Sequence, residues 1–132
     1  MRAVRGRGNK TTETRFRSAL VRAGLRGWSI GPQNLPGRPD FYFAKARLAV
    51  FVDGCFWHGC RRCGHVPRTN SKFWRAKIER NRQRDRATSA ALRAAGLRVI
   101  RLWEHKLRED LPGCVARVDS LLNEALYMET SP

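Results

Sequence analysis

Acidic residues are scarce in this chain, and their scarcity determines its net charge. The 132 residues include 11 Asp and Glu against 27 Lys and Arg, which gives a formal net charge of +16 at pH 7. This excess is larger than solubility requires, so a polyanion is the expected partner. Nucleic acid is preferred to a membrane surface, because no segment combines a basic face with a broad apolar face and a lipid-anchor motif. The alternative is that the arginines only form a solvated face.

Long apolar runs are also missing. The chain has no run of 18 or more apolar residues, and its basic N-terminus lacks the apolar segment of a secretory signal. We therefore expect a soluble, intracellular protein without a membrane partner. The length of 132 residues favours one domain with one site.

Cysteines number only four, and in a chain without an export signal they indicate metal ligation or reduced core thiols rather than disulfides. Cys55, Cys60 and Cys63 form a C-x4-C-x2-C pattern that supplies three soft ligands on one short loop. A fourth protein ligand would close the site and make it structural. The candidates are His65, His105 and Cys114, and we favour His105 because it follows a distant predicted strand.

Hydrophobic periodicity and turn residues predict a mixed α/β domain. Residues 1–10 are expected to form a mobile basic arm, and residues 11–132 the domain itself. The predicted elements are a helix from Thr11 or Thr12 to Ala23, a short strand at 28–30, strands at 40–43 and 48–52, a helix over 71–95, a strand at 97–103 and a helix from Pro112.

Two aspartates flank the clearest pair of predicted strands. If these strands form a hairpin centred between Ala46 and Arg47, Asp40 lies opposite Asp53 on one face of the sheet. Hydrolysis of a phosphodiester needs a hard cation held by carboxylates and a base for the attacking water. Asp40, with either Asp53 or the carbonyl of Val52, meets the first need. His58 meets the second, although each aspartate taken alone could be an ordinary turn residue.

Aromatic residues lie between the candidate metal ligands. Phe56 and Trp57 separate Cys55 from His58 on a loop that we expect to be rigid and exposed. Aromatic side chains in such a place can wedge between base pairs or stack on bases. Trp74, near the start of the long predicted helix, is a candidate third member.

Five segments, in order, resemble the very-short-patch-repair (Vsr) mismatch endonuclease family from about residue 4 to 108. They are GRPDF, VFVDGCFWHGC, PRTNSKFW, RNRQRDR and GLRVIRLWE. The resemblance implies a Mg²⁺-dependent DNA nickase with a restriction-endonuclease-like fold, in which helices flank a mixed central sheet, and with a structural zinc. Family members incise the T-containing strand 5′ to the T of a T:G mismatch. Such mismatches arise when 5-methylcytosine deaminates, which links the enzyme to a bacterial cytosine methyltransferase. The resemblance therefore implies a location in the bacterial cytoplasm, associated with the nucleoid.

The resemblance also implies roles for individual residues. Asp40 and the backbone of Val52 would hold Mg²⁺, and His58 would act on the water. Asp85 from the long helix and Glu13 from the first helix would assist. The intercalating aromatics would be Phe56, Trp57 and Trp74, and the zinc ligands Cys55, Cys60, Cys63 and His105.

Three positions depart from the family pattern. Some members have His in place of Asp53, and many have Cys in place of His105, although three Cys and one His still form an ordinary zinc set. Compared with the wider PD-(D/E)-x-K nucleases, Cys55 occupies the position of their Lys.

Three hypotheses follow. The first is the mismatch nickase, which we expect to act as a monomer on double-stranded DNA, with repair-complex proteins as candidate partners. The second is a non-catalytic zinc-containing DNA-binding module. The third is an endonuclease of the same fold with another lesion or site preference.

Overall fold

A four-stranded mixed sheet with helices on both faces forms the protein. The computed structural model describes residues 2–31, 34–62 and 66–130, with side chains described within 11–31, 34–62 and 66–125. The elements in order are α1 (Arg2–Arg22), β1 (Trp28–Ile30), β2 (Phe41–Phe43), β3 (Leu48–Asp53), α2 (Ser71–Ala94), β4 (Arg98–Trp103), α3 (Glu104–Glu109) and α4 (Leu111–Thr130). This order confirms the predicted mixed α/β class.

The strands lie in the order β1-β2-β3-β4. The first three are joined by antiparallel pairing, whereas β3 and β4 run parallel after the crossover through α2. All six residues of β3 are buried, because helices cover both faces of this central strand. The end of β3 therefore lies inside the fold, next to the loop that carries the predicted site.

Two apolar clusters occupy the two faces of the sheet. On one face, Phe16 and Leu20 of α1 pack with Leu107 of α3 and Val118 of α4 against alternate residues of β3. On the other face, Leu92 of α2 packs against a smaller cluster that includes Ala49, Phe51 and Leu97. The two layers explain why β3 reads as a continuous apolar run.

The hairpin of β2 and β3 has a different register from the predicted one. Phe43 pairs with Leu48 and Phe41 with Val50, so Asp40 is not opposite Asp53. The loop covers residues 44–47, and it is closed by a hydrogen bond of 3.1 Å from the Arg47 N–H to the Ala44 carbonyl, with Arg47 at a φ of 52°. The predicted strand bounds left the same loop, but the predicted turn centre, between Ala46 and Arg47, was one residue too late, because the observed pairing centres the turn between Lys45 and Ala46.

Helix α1 starts earlier than predicted. It begins at Arg2 rather than at Thr11 or Thr12, and Thr12 is buried inside it instead of capping it. Arg, Ala and Lys upstream of Thr11 are good helix formers, so the helix continues through them. The division into an arm over 1–10 and a domain over 11–132 stays a prediction.

Helix α3, which carries His105, was not predicted, because six residues are too few to show a helical period. Within the described ranges, no helix has both the length and the apolar character needed to cross a bilayer.

Candidate active site and metal centre

Asp40 lies immediately before β2, and β3 fixes its carboxylate. The backbone N–H of Val52 donates to Oδ2 of Asp40 at 2.6 Å. Burial raises the pKa of Asp40 to about 7; the Val52 hydrogen bond and His58 lower it, while Glu13 and Asp53 raise it further. The predicted acidic residues of α1, β2 and β3 therefore share one electrostatic environment with the predicted base.

His58 lies in the loop between β3 and α2, and a carboxylate from α2 orients its ring. Nδ1 of His58 is 2.5 Å from Oδ2 of Asp85 and 3.8 Å from Oδ1 of Asp53. A ring nitrogen bonded to a carboxylate carries the proton, which leaves Nε2 as the nitrogen that can accept one. The pair therefore has the geometry of a base with an orienting acid.

Asp53 ends β3 in a buried position, with 5% of its surface exposed. Burial raises the pKa of Asp53, whereas His58 and Arg101 lower it. Nη1 of Arg101 donates to both carboxylate oxygens of Asp53, at 3.0 and 3.3 Å. A cation from the neighbouring strand thus compensates the buried charge. Asp53, His58 and Asp85 also place one ligand atom each within 4.8 Å of one another, which makes them a candidate cation site.

A second cluster, of soft ligands, lies in the interior. Nδ1 of His105 is 3.4 Å from Sγ of Cys55 and 3.6 Å from Sγ of Cys60. The two cysteines are 5% exposed and the histidine 7%. Since these ligand atoms all lie within 4.8 Å of one another, the three residues could hold a metal ion. The short helix α3 brings His105 to this cluster from a point 50 residues away in the chain.

The other candidate ligands do not join this cluster among the described residues. Cys63 and His65 lie outside the residues that the structure describes. Cys114 lies on α4 and packs in the apolar cluster with Val118. Burial, followed by the charge of Asp110, raises the pKa of the Cys114 thiol, as expected for an inert core cysteine.

The loop between β3 and α2 is fastened to its surroundings at three points. Nδ2 of Asn81 donates to the carbonyl of Trp57 at 3.0 Å, and Arg62 forms two hydrogen bonds with Glu109 at 2.6 and 2.5 Å. Gly59 has a φ of 70°, and a Cβ there would meet side-chain atoms of α2 at 2.8 and 2.9 Å. A residue without a side chain is therefore what lets the loop approach the helix.

Four aromatic rings form a half-exposed cluster on this loop and on the start of α2. Ring centroids are 5.0 Å apart for Phe56 and Trp57, 5.7 Å for each of these with Trp74, and 5.1 Å for Phe73 with Trp74. Nζ of Lys77 is 5.2 Å from the centroid of the Trp57 ring. The structure thus brings together the three predicted wedge residues, and it adds a fourth ring.

Comparisons with known proteins identify relatives of the chain. The profile of the family described as DNA mismatch endonuclease Vsr matches residues 1–64. The type II nicking enzyme V.XorIIP of Xanthomonas oryzae is 42% identical over 125 residues, which cover 93% of this chain and 89% of the relative. The chain belongs to the Vsr DNA mismatch endonuclease family. Two more relatives are both 40% identical. For the type II nicking enzyme V.NaeI of Lentzea aerocolonigenes, the match covers 92% of this chain and 74% of the relative. For the DNA mismatch endonuclease Vsr of Escherichia coli, it covers 82% of this chain and 69% of the relative.

Membership of the Vsr family makes the chain a DNA endonuclease, and the mixed sheet flanked by helices is consistent with the fold that the resemblance implied. DNA is accordingly its partner class.

Sequence reasoning missed several residues around the Vsr-family site. Arg101, Ser89, Asn81, Phe73 and Lys77 all contact predicted site residues or their partners. A signal existed for Arg101, which is one of two arginines, with Arg98, in the mostly apolar strand LRVIRLW. The long helix α2 carries so many basic residues that none of the others stood out.

Proposed function

We propose that this Vsr-family chain nicks the T-containing strand 5′ to the T of a T:G mismatch by Mg²⁺-dependent hydrolysis of the phosphodiester. The observation that carries the proposal is the position of Asp40. Its carboxylate is held by the Val52 N–H at 2.6 Å and interacts electrostatically with His58, the residue oriented by Asp85. The substrate would arise from deamination of 5-methylcytosine.

Asp40 and the backbone of Val52 would hold the Mg²⁺. The half-buried carboxylate has neighbours of its own sign in Glu13 and Asp53, and its pKa is raised first by burial and then by these two acids. Oxygen ligands in a negatively charged recess suit a hard divalent cation. The chemistry that Mg²⁺ supplies when bound is Lewis-acid polarisation of the phosphate. Glu13, from α1, would add to the negative field that attracts the cation.

Proton transfer is assigned to His58. Its Nδ1 is committed to Asp85, so Nε2 would accept the proton of the attacking water. Asp85 keeps the ring in the tautomer and orientation that this step needs. Asp53 belongs to the same group of acids, within 3.8 Å of His58.

We assign the buried soft-ligand cluster to a structural zinc ion held by Cys55, Cys60, His105 and Cys63. Tetrahedral zinc with bonds of about 2.3 Å to sulfur and about 2.05 Å to nitrogen puts the two ligand atoms about 3.6 Å apart. The Sγ–Nδ1 distances of 3.4 and 3.6 Å fit this geometry. The ion would join the loop after β3 to α3 and so hold the aromatic residues in place.

Phe56, Trp57 and Trp74 would enter the duplex and unstack the mismatch. Their rings lie together, half-buried, at one point of the surface, and the loop below them is anchored to α2. A mismatched pair costs less to unstack than a matched one, so a wedge of this kind favours the lesion. One such site per molecule suffices for an asymmetric mismatch, so a monomer would be the active species.

The names of the relatives favour a second candidate. V.XorIIP and V.NaeI are described as nicking enzymes without a stated mismatch. The same catalytic residues would then serve an endonuclease with another lesion or site preference.

A panel of strand-labelled duplexes tests the proposal. It would contain T:G and the other single mismatches in several sequence contexts, and fully paired DNA, each with Mg²⁺ and with Mg²⁺ withheld. The proposal predicts one product, from the T strand, cut 5′ to the T and formed only with Mg²⁺. Cutting of another mismatch or of paired DNA in preference would support the second candidate. A shifted but uncut T:G duplex in every context would identify a binding module.

A further inference from the structure

One arginine outside the predicted set lies beneath the candidate active site. Arg101 is on β4, directly across the parallel ladder from Phe51, and its guanidinium lies over the Phe51 ring at 4.1 Å. Contact with a ring face restricts the guanidinium and leaves its N–H donors free for other partners. The Phe51 ring therefore restricts the Arg101 side chain independently of its polar contacts.

Three N–H groups of Arg101 are used around the site. Nη1 donates to both oxygens of Asp53, Nε donates to Oγ of Ser89 at 2.9 Å, and Nη2 donates to the backbone carbonyl of Asp85 at 3.3 Å. Asp53 and Ser89 are 5% and 6% exposed. One guanidinium thus joins the end of β3 to the part of α2 that carries Asp85.

These contacts bear on a competition between two carboxylates for one imidazole. Nδ1 of His58 is 2.5 Å from Asp85 and 3.8 Å from Asp53. A buried and uncompensated Asp53 would attract the imidazole N–H strongly. Arg101 donates to both oxygens of Asp53 and to the backbone carbonyl of Asp85, whereas its Nη1 lies farther, at 3.8 Å, from Oδ1 of Asp85. Because its closer ion pair is with Asp53, it compensates that carboxylate more than Asp85 and makes Asp85 the partner of His58.

We propose that Arg101 is a positioning residue, which selects Asp85 rather than Asp53 as the partner of His58 and so places the imidazole for catalysis. The inference rests on the proposed role of His58 in hydrolysis. Arg101 acts through Asp53 and Asp85, without contact with the DNA or the reacting atoms.

Kinetics on a duplex that the wild type nicks form the first test. Misplacement of a catalytic group by about 1 Å costs about 100-fold in rate, so Arg101→Met is expected to lower kcat about 100-fold and to leave KM within about threefold. Arg101→Lys keeps the positive charge but loses the planar set of N–H donors, so its kcat is expected to lie between those of the wild type and Arg101→Met. The double variant Asp53→Asn/Arg101→Met removes the competing charge and should nick at least about tenfold faster than Arg101→Met alone.

Arg98→Met is the matched control on the same strand. Arg98 donates to the carbonyl of Leu121 at 2.7 Å and pairs with Glu124, so its loss removes a partly buried hydrogen bond and an exposed ion pair of an arginine without reaching His58. Its kcat should stay within about threefold of the wild type. An unchanged kcat in Arg101→Met, a double variant as slow as Arg101→Met, or a defect confined to KM would overturn the inference.

NMR spectroscopy tests which carboxylate is the partner of His58, without DNA and without turnover. The NMR signal of the His58 ring N–H is expected to shift on Asp85→Asn and hardly on Asp53→Asn in the wild-type background. In the Arg101→Met background, the His58 signal should instead shift on Asp53→Asn and hardly on Asp85→Asn. If Asp85→Asn remains the variant that moves the signal, Arg101 does not select the partner. The NMR measurement remains valid even if the wild type nicks no duplex in the panel. That result would contradict the proposed function but not the role of Arg101 in positioning His58.

Discussion

The backbone N–H of Val52 donates to Oδ2 of Asp40 at 2.6 Å and ties the residue before β2 to the central strand. A side chain that a buried strand holds in this way has little freedom, so Glu13, Asp53 and His58 act electrostatically on a carboxylate of fixed position. Catalytic carboxylates need this kind of support, because small displacements of a catalytic group are costly. The geometry of the candidate active site depends on this contact.

Replacing Asp40 with Asn should change how stability depends on pH in magnesium-free buffer. Burial raises the folded pKa of Asp40 to about 7 from 3.8, so between these values the folded state binds more protons than the unfolded state. Stability therefore falls as pH rises through this window, by at most about 4 kcal/mol. Denaturation with urea should show Asp40→Asn to be more stable than the wild type at pH 8 and similar at pH 4.

Asp119→Asn is the control for that experiment, because Asp119 is an exposed aspartate on α4. It is expected to change stability little at either pH. Equal pH profiles for Asp40→Asn and the wild type would show that the Asp40 carboxylate pays no burial cost.

Replacing His105 with Ala should remove bound zinc and lower the melting temperature. The imidazole is one of three buried ligands within 4.8 Å of one another, so its loss opens a closed site. We expect less than one equivalent of zinc by elemental analysis and a loss of about 10 °C or more in Tm. Cys114→Ala, which removes a buried thiol outside the cluster, should keep its zinc. A His105→Ala protein with a full equivalent would exclude His105 as a ligand.

Replacing Gly59 with Ala should disturb the loop that carries His58. The added Cβ would meet Ile78 Cγ2 at 2.8 Å and Arg82 Cδ at 2.9 Å, and the φ of 70° is strained for alanine. We expect a stability loss of about 1–3 kcal/mol and slower nicking. Gly54→Ala is the matched control, because a Cβ there meets nothing within 4 Å. Equal effects of the two substitutions would contradict the close approach of the loop to α2.

Replacing Trp57 with Ala should weaken binding to the mismatched duplex. Stacking of one base on an aromatic side chain contributes about 1–3 kcal/mol, which corresponds to about 5- to 150-fold in affinity. A 2-aminopurine beside the mismatch should brighten when the wild type unstacks it, and much less with Trp57→Ala. Ile30→Ala, at a 50% exposed position on the edge strand β1, is the control. Full brightening with Trp57→Ala would remove this ring from the wedge.

The strands and the main helices could be predicted from local patterns, because apolar alternation, Gly24 and Gly96 mark their ends. The register of the hairpin could not. The predicted strand bounds already leave the four-residue loop 44–47, but the pairing across it depends on Arg47 adopting a positive φ, which few non-glycine residues do and which the residue type does not indicate. The start of α1 was missed for a related reason, since glycines at 6 and 8 read as a break in a helix that nevertheless continues.

Much of the candidate site was readable because its residues are chemically distinctive and crowd the segment from Asp40 to His58. Contacts between segments that are distant in the chain could not be predicted from the sequence. The bond from Arg101 to Asp53 spans 48 residues, and it exists only because β4 pairs parallel with β3. Strand pairing of this kind is a tertiary result, so the position of Arg101 within a mostly apolar strand was visible from the sequence, whereas its partner was not.

Single-turnover nicking and binding by Asp40→Ala test the central claim most directly. The variant keeps the basic surface and the aromatic cluster but lacks the carboxylate that would hold Mg²⁺. It is expected to bind the T:G duplex with an affinity within about threefold of the wild type and to cut it at least about 1,000-fold more slowly, since the metal supplies several kcal/mol of transition-state stabilisation. Cleavage at the wild-type rate would show that Asp40 has no part in the reaction.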